Sequence, residues 1–440
     1  MAPRKSRASG PAPPTKTLIL DNGAYTLKAG YSTSAAPRVL PNCIARDRHR
    51  KTYISSELSK CKDFGEIQFR RPVDKGFVVS WEAEKGIWEA EIFAEGGLGC
   101  DASETRLILA EPPAGIPALQ TNCDQMVFEE FRFASYYRAI GPTLNAYNDI
   151  QSYFQTPRES SAHQSPAEIM LLIDSGYSHT TVTPLLHGRP LHPAVRRLDI
   201  GGKFLTNYLT RLLSLRHFDM RNDTYIVNEL KETACYVSLD FSSDLEKTWK
   251  GTRGERRPDY VSGAGIAKDY VLPDFQSRPR GTLRDYDPAA HTKAGKLAAA
   301  AAGQEDVITL RNERFTVPEL LFHPMDIGMR ESGIPGLVMQ SLAELPLALW
   351  PGLLSNVVVV GGNAQIPGFR ERLQRELVML APDDCAVRVA VPQDPITATW
   401  EGGKKLADHA DVEGLCVTRE EYEEYGAGWV ARKFAASLPV

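Results

Sequence analysis

Two carboxylates in matching settings carry the sharpest chemical signal in this sequence. Thr17-Leu18-Ile19-Leu20-Asp21-Asn22-Gly23 is a short apolar run ending in an acid and a turn dipeptide, which reads as a buried strand entering a hairpin. Met170-Leu171-Leu172-Ile173-Asp174-Ser175-Gly176 repeats the pattern downstream. One Asp-Asn-Gly turn is ordinarily just a hairpin turn, but a plain turn has no need to recur at the ends of two matching strands. Each copy sets backbone N–H groups beside an acid. The amides of Gly23 and Gly176 can cradle phosphate oxygens, Lys28 can supply charge, and Asp21 and Asp174 can order a hydrated Mg²⁺. Two lobes then face each other across one cleft.

Two further groups suit a nucleotide. Gly361-Gly362-Asn363 ends the apolar run Asn356 to Val360 and precedes Pro367-Gly368-Phe369. Glycines there let a nucleoside approach the backbone closely, although a tight strand-to-helix turn uses the same residues. Lys231 and Glu232, on a helical stretch, either flank a ribose and base edge or stay solvated. No G-x-x-x-x-G-K-[ST] lies near these positions, so a P-loop NTPase is not supported.

The elements that hold these residues follow from hydrophobic period. Gly201 opens an amphipathic helix through Phe204, Leu205, Tyr208, Leu209 and Leu212, and a second helix is expected from Ile226 to Asp240. From Phe241 to about Asp306 the pattern decays, which predicts an insertion with one strand-like segment at Tyr270 to Phe275 and an alanine run at Leu297 to Ala302. Regular structure resumes at Val307-Ile308-Thr309-Leu310. A further strand, Asn356 to Val360, passes through its glycine turn into a helix from Phe369, the grammar of an α/β protein. The insertion is rich in cations: Lys250, Arg253, Arg256, Arg257, Lys268, Arg278, Arg280, Arg284, Lys293 and Lys296. It reads either as a solvated loop or as a basic arm that orders on a partner. Either way, deleting Gln276 to Ala302 is expected to spare thermal stability.

Composition bounds the rest. A chain of 440 residues exceeds one ordinary core, and 42% apolar with 24% charged residues is the globular average. The net charge of −4 gives no global attraction to DNA or an anionic membrane, leaving only two local basic runs. These are Arg4, Lys5, Arg7 and Lys16 in a Pro- and Ser-rich tail, and Arg46, Arg48, His49, Arg50 and Lys51. Seven scattered cysteines lack C-x-x-C spacing, which argues against a disulfide framework or structural zinc and for a reducing compartment. No apolar run reaches bilayer length and no signal-peptide core follows the basic N-terminus, so a soluble intracellular chain is expected.

Together the motifs reach a family. Asp21-Asn22-Gly23 with Lys28-Ala29-Gly30, Arg197 to Gly202 with Leu205 to Leu209, Lys231-Glu232 with Cys235-Tyr236-Val237, Asn312 to Phe315, Pro318-Glu319, Gly361-Gly362-Asn363 and Trp400 to Gly403 resemble actin, in actin's order. Asp174 to Ser178, Pro395 to Thr397 and Val417 to Glu424 are similar to a nuclear branch of actin-related proteins belonging to the Swr-type chromatin remodeller.

The resemblance implies an actin-like ATPase fold of the α/β class, with duplicated ribonuclease-H-like cores and two smaller outer subdomains around a nucleotide cleft. Residues 1–15 would be a disordered tail. Residues 16–40, 72–146 and 398–440 would form subdomain 1, and 41–71 subdomain 2. Residues 147–200 and 330–397 would form subdomain 3, and 201–329 subdomain 4, with the insertion at about 242–306. It further implies ATP or ADP with Mg²⁺ held by Gly23, Ala24, Tyr25, Lys28, Gly176, Tyr177, Gly202, Lys231, Glu232, Gly361, Gly362, Asn363 and Ile366, with Asp21 and Asp174 at the metal. The implied partners are a remodeller motor ATPase and a zinc-finger HIT subunit, with nucleosomal DNA and histones as further contacts. The implied compartment is the nucleus, with some cytoplasmic presence, and the complex exchanges canonical for variant histone dimers.

Departures from actin argue against turnover. Ala24 and Tyr25 stand where actin has Ser and Gly, and Tyr177 and Ser178 where it has Asp and Gly. No glutamine lies near Arg138 or Ala139, where one is expected to position water, and Ile396 replaces a lysine over the adenine. Phosphoryl transfer depends almost wholly on positioning, so a non-catalytic scaffold is expected. An actin-like ATPase or a filament protein is the alternative. Asp326-Ile327, in place of an apolar plug tip, disfavours a homopolymer.

Overall fold

The two repeated motifs are the central strands of two separate sheets in the computed structural model, which describes residues 14, 16–154, 166–249, 265–275, 278–290, 292, 305–410 and 412–436. In the first lobe Lys16–Asn22 lies between Thr26–Tyr31, its antiparallel hairpin partner, and Thr105–Glu111, which runs parallel. In the second, Ile169–Ser175 lies between its hairpin partner Thr180–Leu186 and the parallel strand Val357–Val360. The repeat is therefore one of topology as well as of residues. Leu18, Ile19 and Leu20 have no exposed surface, nor do Leu171 and Ile173. Helices cover both faces of such strands, which is why they read as unbroken apolar runs rather than as alternation.

The first sheet has six strands in the order Val417–Thr418, Ser135–Ile140, Thr105–Glu111, Lys16–Asn22, Thr26–Tyr31 and Arg38–Pro41. The second runs Arg189–Pro190, Thr180–Leu186, Ile169–Ser175, Val357–Val360 and Val389–Ala390, with Arg196–Leu198 on the second of these. Their cores are distinct: one gathers Leu18 to Tyr147 with Trp400 to Phe434, the other Leu171 to Val389. A small outer sheet (Ile44–Arg46, Thr52–Ile54, Gln68–Arg70) caps the first lobe. Phe64, next to it, stacks on Tyr225 of the second lobe at 4.1 Å and 9°, and the Glu66 amide donates to Asp223 at 3.2 Å.

Four expectations change. The helix predicted from Ile226 to Asp240 is Thr224–Ala234; it stops because the Tyr236 and Val237 amides donate instead to the carbonyls of Arg314 and Pro367. A new helix, Phe241–Thr248, starts where decay is predicted, capped by Asp240 accepting from the Ser243 amide. The insertion carries two strands rather than one: Lys268–Val271 pairs with Thr282–Asp285 on one side and Val307–Leu310 on the other. Deleting Gln276 to Ala302 would remove an edge strand over buried Tyr270, so a loss of stability is expected in place of the neutral outcome.

The arm's described cations are also less available than their number suggests. Arg278 and Arg284 both pair with Glu305, at 2.7 and 2.9 Å, and Lys268 pairs with Asp285. Residues 1–13 and Thr15 of the expected tail, the run Leu297 to Ala302, and Lys250, Arg253, Arg256, Arg257, Lys293 and Lys296 lie outside the described residues. Asp326-Ile327 sits on a short 3-10 turn, Pro324–Ile327. All seven cysteines are free and six are buried, and among the described residues no helix is long and apolar enough to cross a membrane.

Candidate functional site

All fifteen residues singled out as nucleotide or metal contacts line a single cavity of about 480 Å³ between the lobes. The two hairpins bring Asp21 and Asp174 to it from opposite sides. Lys28 Nζ lies 3.1 Å from Asp21, compensating that carboxylate. Among the described residues Asp174 has no such partner: burial, and then the facing Asp21 charge, push its pKa up to about 6 against the pull of Lys28. Two facing carboxylates with one ammonium between them form an under-compensated pair, and a divalent cation would relieve it. Among the described residues no cluster of three or more His, Cys, Asp or Glu could cage a metal. The pair therefore suits a hydrated Mg²⁺ that takes its remaining ligands from water and phosphate.

The glycines are required by close approach. Gly361 has φ +92°, and a β-carbon there would lie 2.4 Å from the Ser175 carbonyl oxygen and 2.9 Å from Asp174 Oδ1. Asn363 locks this turn to the second hairpin, donating to Ser175 Oγ at 3.1 Å and to the Gly176 carbonyl at 2.9 Å. Asn42 does the same for the first hairpin, donating to the Gly23 carbonyl at 3.0 Å. The Gly202 amide, at the start of helix Gly202–Arg216, is committed to the Gly176 carbonyl at 3.0 Å. Gly202 thus shapes the wall rather than offering an N–H.

Lys231 is nearly fully buried and donates to the Gly202 carbonyl, Thr206 Oγ1 and Asn228 Oδ1. With three acceptors its three protons are all used, and burial lowers its pKa. Glu232 accepts from Asn228 at 2.8 Å, and Asn228 also donates to the Tyr25 hydroxyl at 3.0 Å.

Each hairpin tip carries a tyrosine, and the rings meet. Tyr25 and Tyr177 pack at 4.8 Å between centroids, with the Arg71 guanidinium 4.6 and 5.1 Å from them. The space between the tips, where a terminal phosphate would have to lie, is filled by aromatic carbon. Room for the rest of a nucleotide remains beside Gly361, Gly362, Ile366 and Ile396.

Arg138 and Ala139 do not reach the cavity. Arg138 is buried in a fork with Asp124, both oxygens at 2.7 Å, and Ala139 is fully buried. That strand ends at Ile140, so it is Gly141 and Pro142 that it delivers to the cavity wall. The expected position is corrected accordingly, and no carboxamide occupies the new one either.

The sequence reading missed His179, whose half-buried ring packs on Gly76 from the other lobe; burial and the neighbouring Arg197 push its pKa down to about 4. It missed Arg71 and Asn228 as well. None of the three sits in a motif, and only the fold brings them to the hairpins.

A family model for Actin matches residues 12–435. The chain is 63% identical to the actin-related protein 6 of Neurospora crassa, over 99% of this chain and 98% of that one. It is 47% identical to the actin-like protein arp6 of Aspergillus fumigatus, over 97% and 96%. It is 35% identical to the actin-related protein 6 of Drosophila melanogaster, over 93% and 97%.

Proposed function

The chain belongs to the actin family, within its actin-related protein 6 group, and from that premise we propose that it is a non-catalytic scaffold subunit of a nuclear chromatin-remodelling complex that exchanges canonical for variant histone dimers. The observation that carries the non-catalytic half is the contact of Tyr25 with Tyr177. Hydrolysis needs a terminal phosphate and an attacking water held in line. Here the hairpin tips hold each other, and Gly141 brings no side chain to orient water.

In this reading ADP, or ATP with its terminal phosphate displaced, binds with Mg²⁺ as a structural ligand. Gly23 and Lys28 would hold phosphate, with Gly176, whose amide already donates to the His179 carbonyl at 3.1 Å, closing the wall beside them; Asp21 and Asp174 would hold the hydrated metal, and Gly361, Gly362 and Ile366 the nucleoside. The metal supplies charge neutralisation, and the bound nucleotide stabilises the joined lobes in proportion to its occupancy. The remodelling role rests on the family membership. In this reading the chain works in the nucleus beside a motor ATPase and a zinc-finger HIT subunit, near nucleosomal DNA and histones, and outside any homopolymer.

Affinity purification of the tagged chain from nuclear extract tests the assignment. Recovery of a remodeller motor with a zinc-finger HIT subunit is the expected outcome, and recovery of cytoskeletal proteins alone overturns it. Phosphate release by the purified chain at actin-like rates, abolished by Asp174→Ala, would refute the non-catalytic half.

A further inference from the structure

A second cavity, of about 1010 Å³, shares Tyr25 and Tyr177 with the first and is otherwise lined by the outer sheet of the first lobe and by Lys203, Arg221 and Tyr225 of the second. The nucleotide reading does not use it. Seven arginines and lysines line it against three carboxylates, in a chain whose net charge is negative. We propose that this outer cavity is a binding site for a compact polyphosphate, held by Arg46, Arg50 and Arg71.

Pairing separates these three from the other cations. Arg48, Arg70, Lys203 and Arg221 each reach a carboxylate, at 2.5, 2.7, 3.2 and 2.6 Å. Among the described residues Arg46 and Arg50 have no carboxylate partner. Arg71, half-buried between the two tyrosines, donates among the described residues only to the carbonyls of Tyr25 and Asn42, at 3.2 and 3.3 Å. The nearby Asp47 carboxylate is spent on its own turn, accepting from the His49 and Lys51 amides and the Tyr53 hydroxyl. A half-buried guanidinium without a counter-charge is costly, and an anion carrying several oxygens offsets that cost.

Shape and stacking select the class of anion. A cavity of this volume is roughly 10 Å across, narrower than a duplex whose major groove alone measures about 12 Å. Single strands bind by stacking bases on free aromatic faces, and here Tyr225 is already stacked on Phe64 while Tyr25 and Tyr177 enclose Arg71. What remains is a small pocket of charge without a platform for bases. The run Arg46 to Lys51, one of the two local basic runs of the sequence, becomes one wall of it.

Isothermal titration of the full chain with myo-inositol hexakisphosphate, and separately with inorganic tripolyphosphate, tests this. The expected result is one site per chain with affinity that falls as NaCl rises. Arg46→Glu/Arg50→Glu should weaken it by about tenfold or more with an unchanged melting temperature, because both side chains are exposed. Arg71→Gln should weaken it independently. Absence of binding at low salt, or equal binding by both variants, overturns the proposal. So does a short single-stranded oligonucleotide that binds as tightly through the same arginines, since the surface would then be one for nucleic acid.

Discussion

Replacing Asp174 with asparagine tests the electrostatics on which the metal assignment stands. Its pKa rises from the ordinary 3.8 to about 6, through burial first and the Asp21 charge second. At 1.36 kcal/mol per pKa unit, that is about 3 kcal/mol held against the folded state when the group is ionised. The carboxylate faces a solvated cavity, so screening trims the figure to about 2 kcal/mol. Between pH 3.8 and about 6 the folded chain keeps a proton that the unfolded chain has lost, so stability falls as pH rises through that window.

Asp174→Asn removes the cost. Without nucleotide or metal, the variant should be more stable than the parent by about 2 kcal/mol at about pH 7.5, and the gap should close towards pH 4. Urea denaturation across that range, in chelator, reads the effect directly. Adding Mg²⁺ and ADP should then stabilise the parent and leave the variant unmoved. A variant less stable than the parent near pH 7.5, or an advantage that does not shrink with acid, would show that Asp174 is not an under-compensated charge.

Two other substitutions bear on the framework. Gly361→Ala forces a β-carbon against the Ser175 carbonyl at φ +92° and should cost about 1–3 kcal/mol in urea denaturation, with weaker ADP binding by calorimetry. Arg138→Met leaves the buried Asp124 charge without its fork and should cost about 3–5 kcal/mol by the same assay. A loss below about 1 kcal/mol would mean that water reaches this pair.

What the sequence disclosed was local. Asp21 and Asp174 could be found because an apolar strand and its turn occupy consecutive residues, and Gly361 because a double glycine after four valines has few other uses. The Tyr25–Arg71–Tyr177 contact joins residues from three distant segments, and an arginine beside another arginine gives no sign of stacking between tyrosines. The helix end at Ala234 was hidden for the same reason: Cys-Tyr-Val can continue a helix, and only the distant carbonyls of Arg314 and Pro367 draw the chain away. In the insertion, Thr282–Asp285 is short and largely exposed, so it has no buried alternation to betray a strand.

The split make-up of the first lobe has a consequence for synthesis. The second lobe's larger core draws on one stretch, Leu171 to Val389, and only the opposite face of its sheet, where Met170, Leu172 and Val358 pack with Ala398, waits for later residues. The first lobe's core needs Trp400, which is 1% exposed, and Val417, which pairs with Tyr136. Asn148 waits 250 residues for the Ala398 carbonyl it bonds, which at about 5–20 residues per second is roughly 13–50 s of translation. Through that interval the first-made part of the chain stands as an unfinished sheet beside a neighbour whose larger core is already formed. Its completion waits for Trp400 and the residues after it, so termination before Trp400 should release a largely folded second lobe tethered to an aggregation-prone first one.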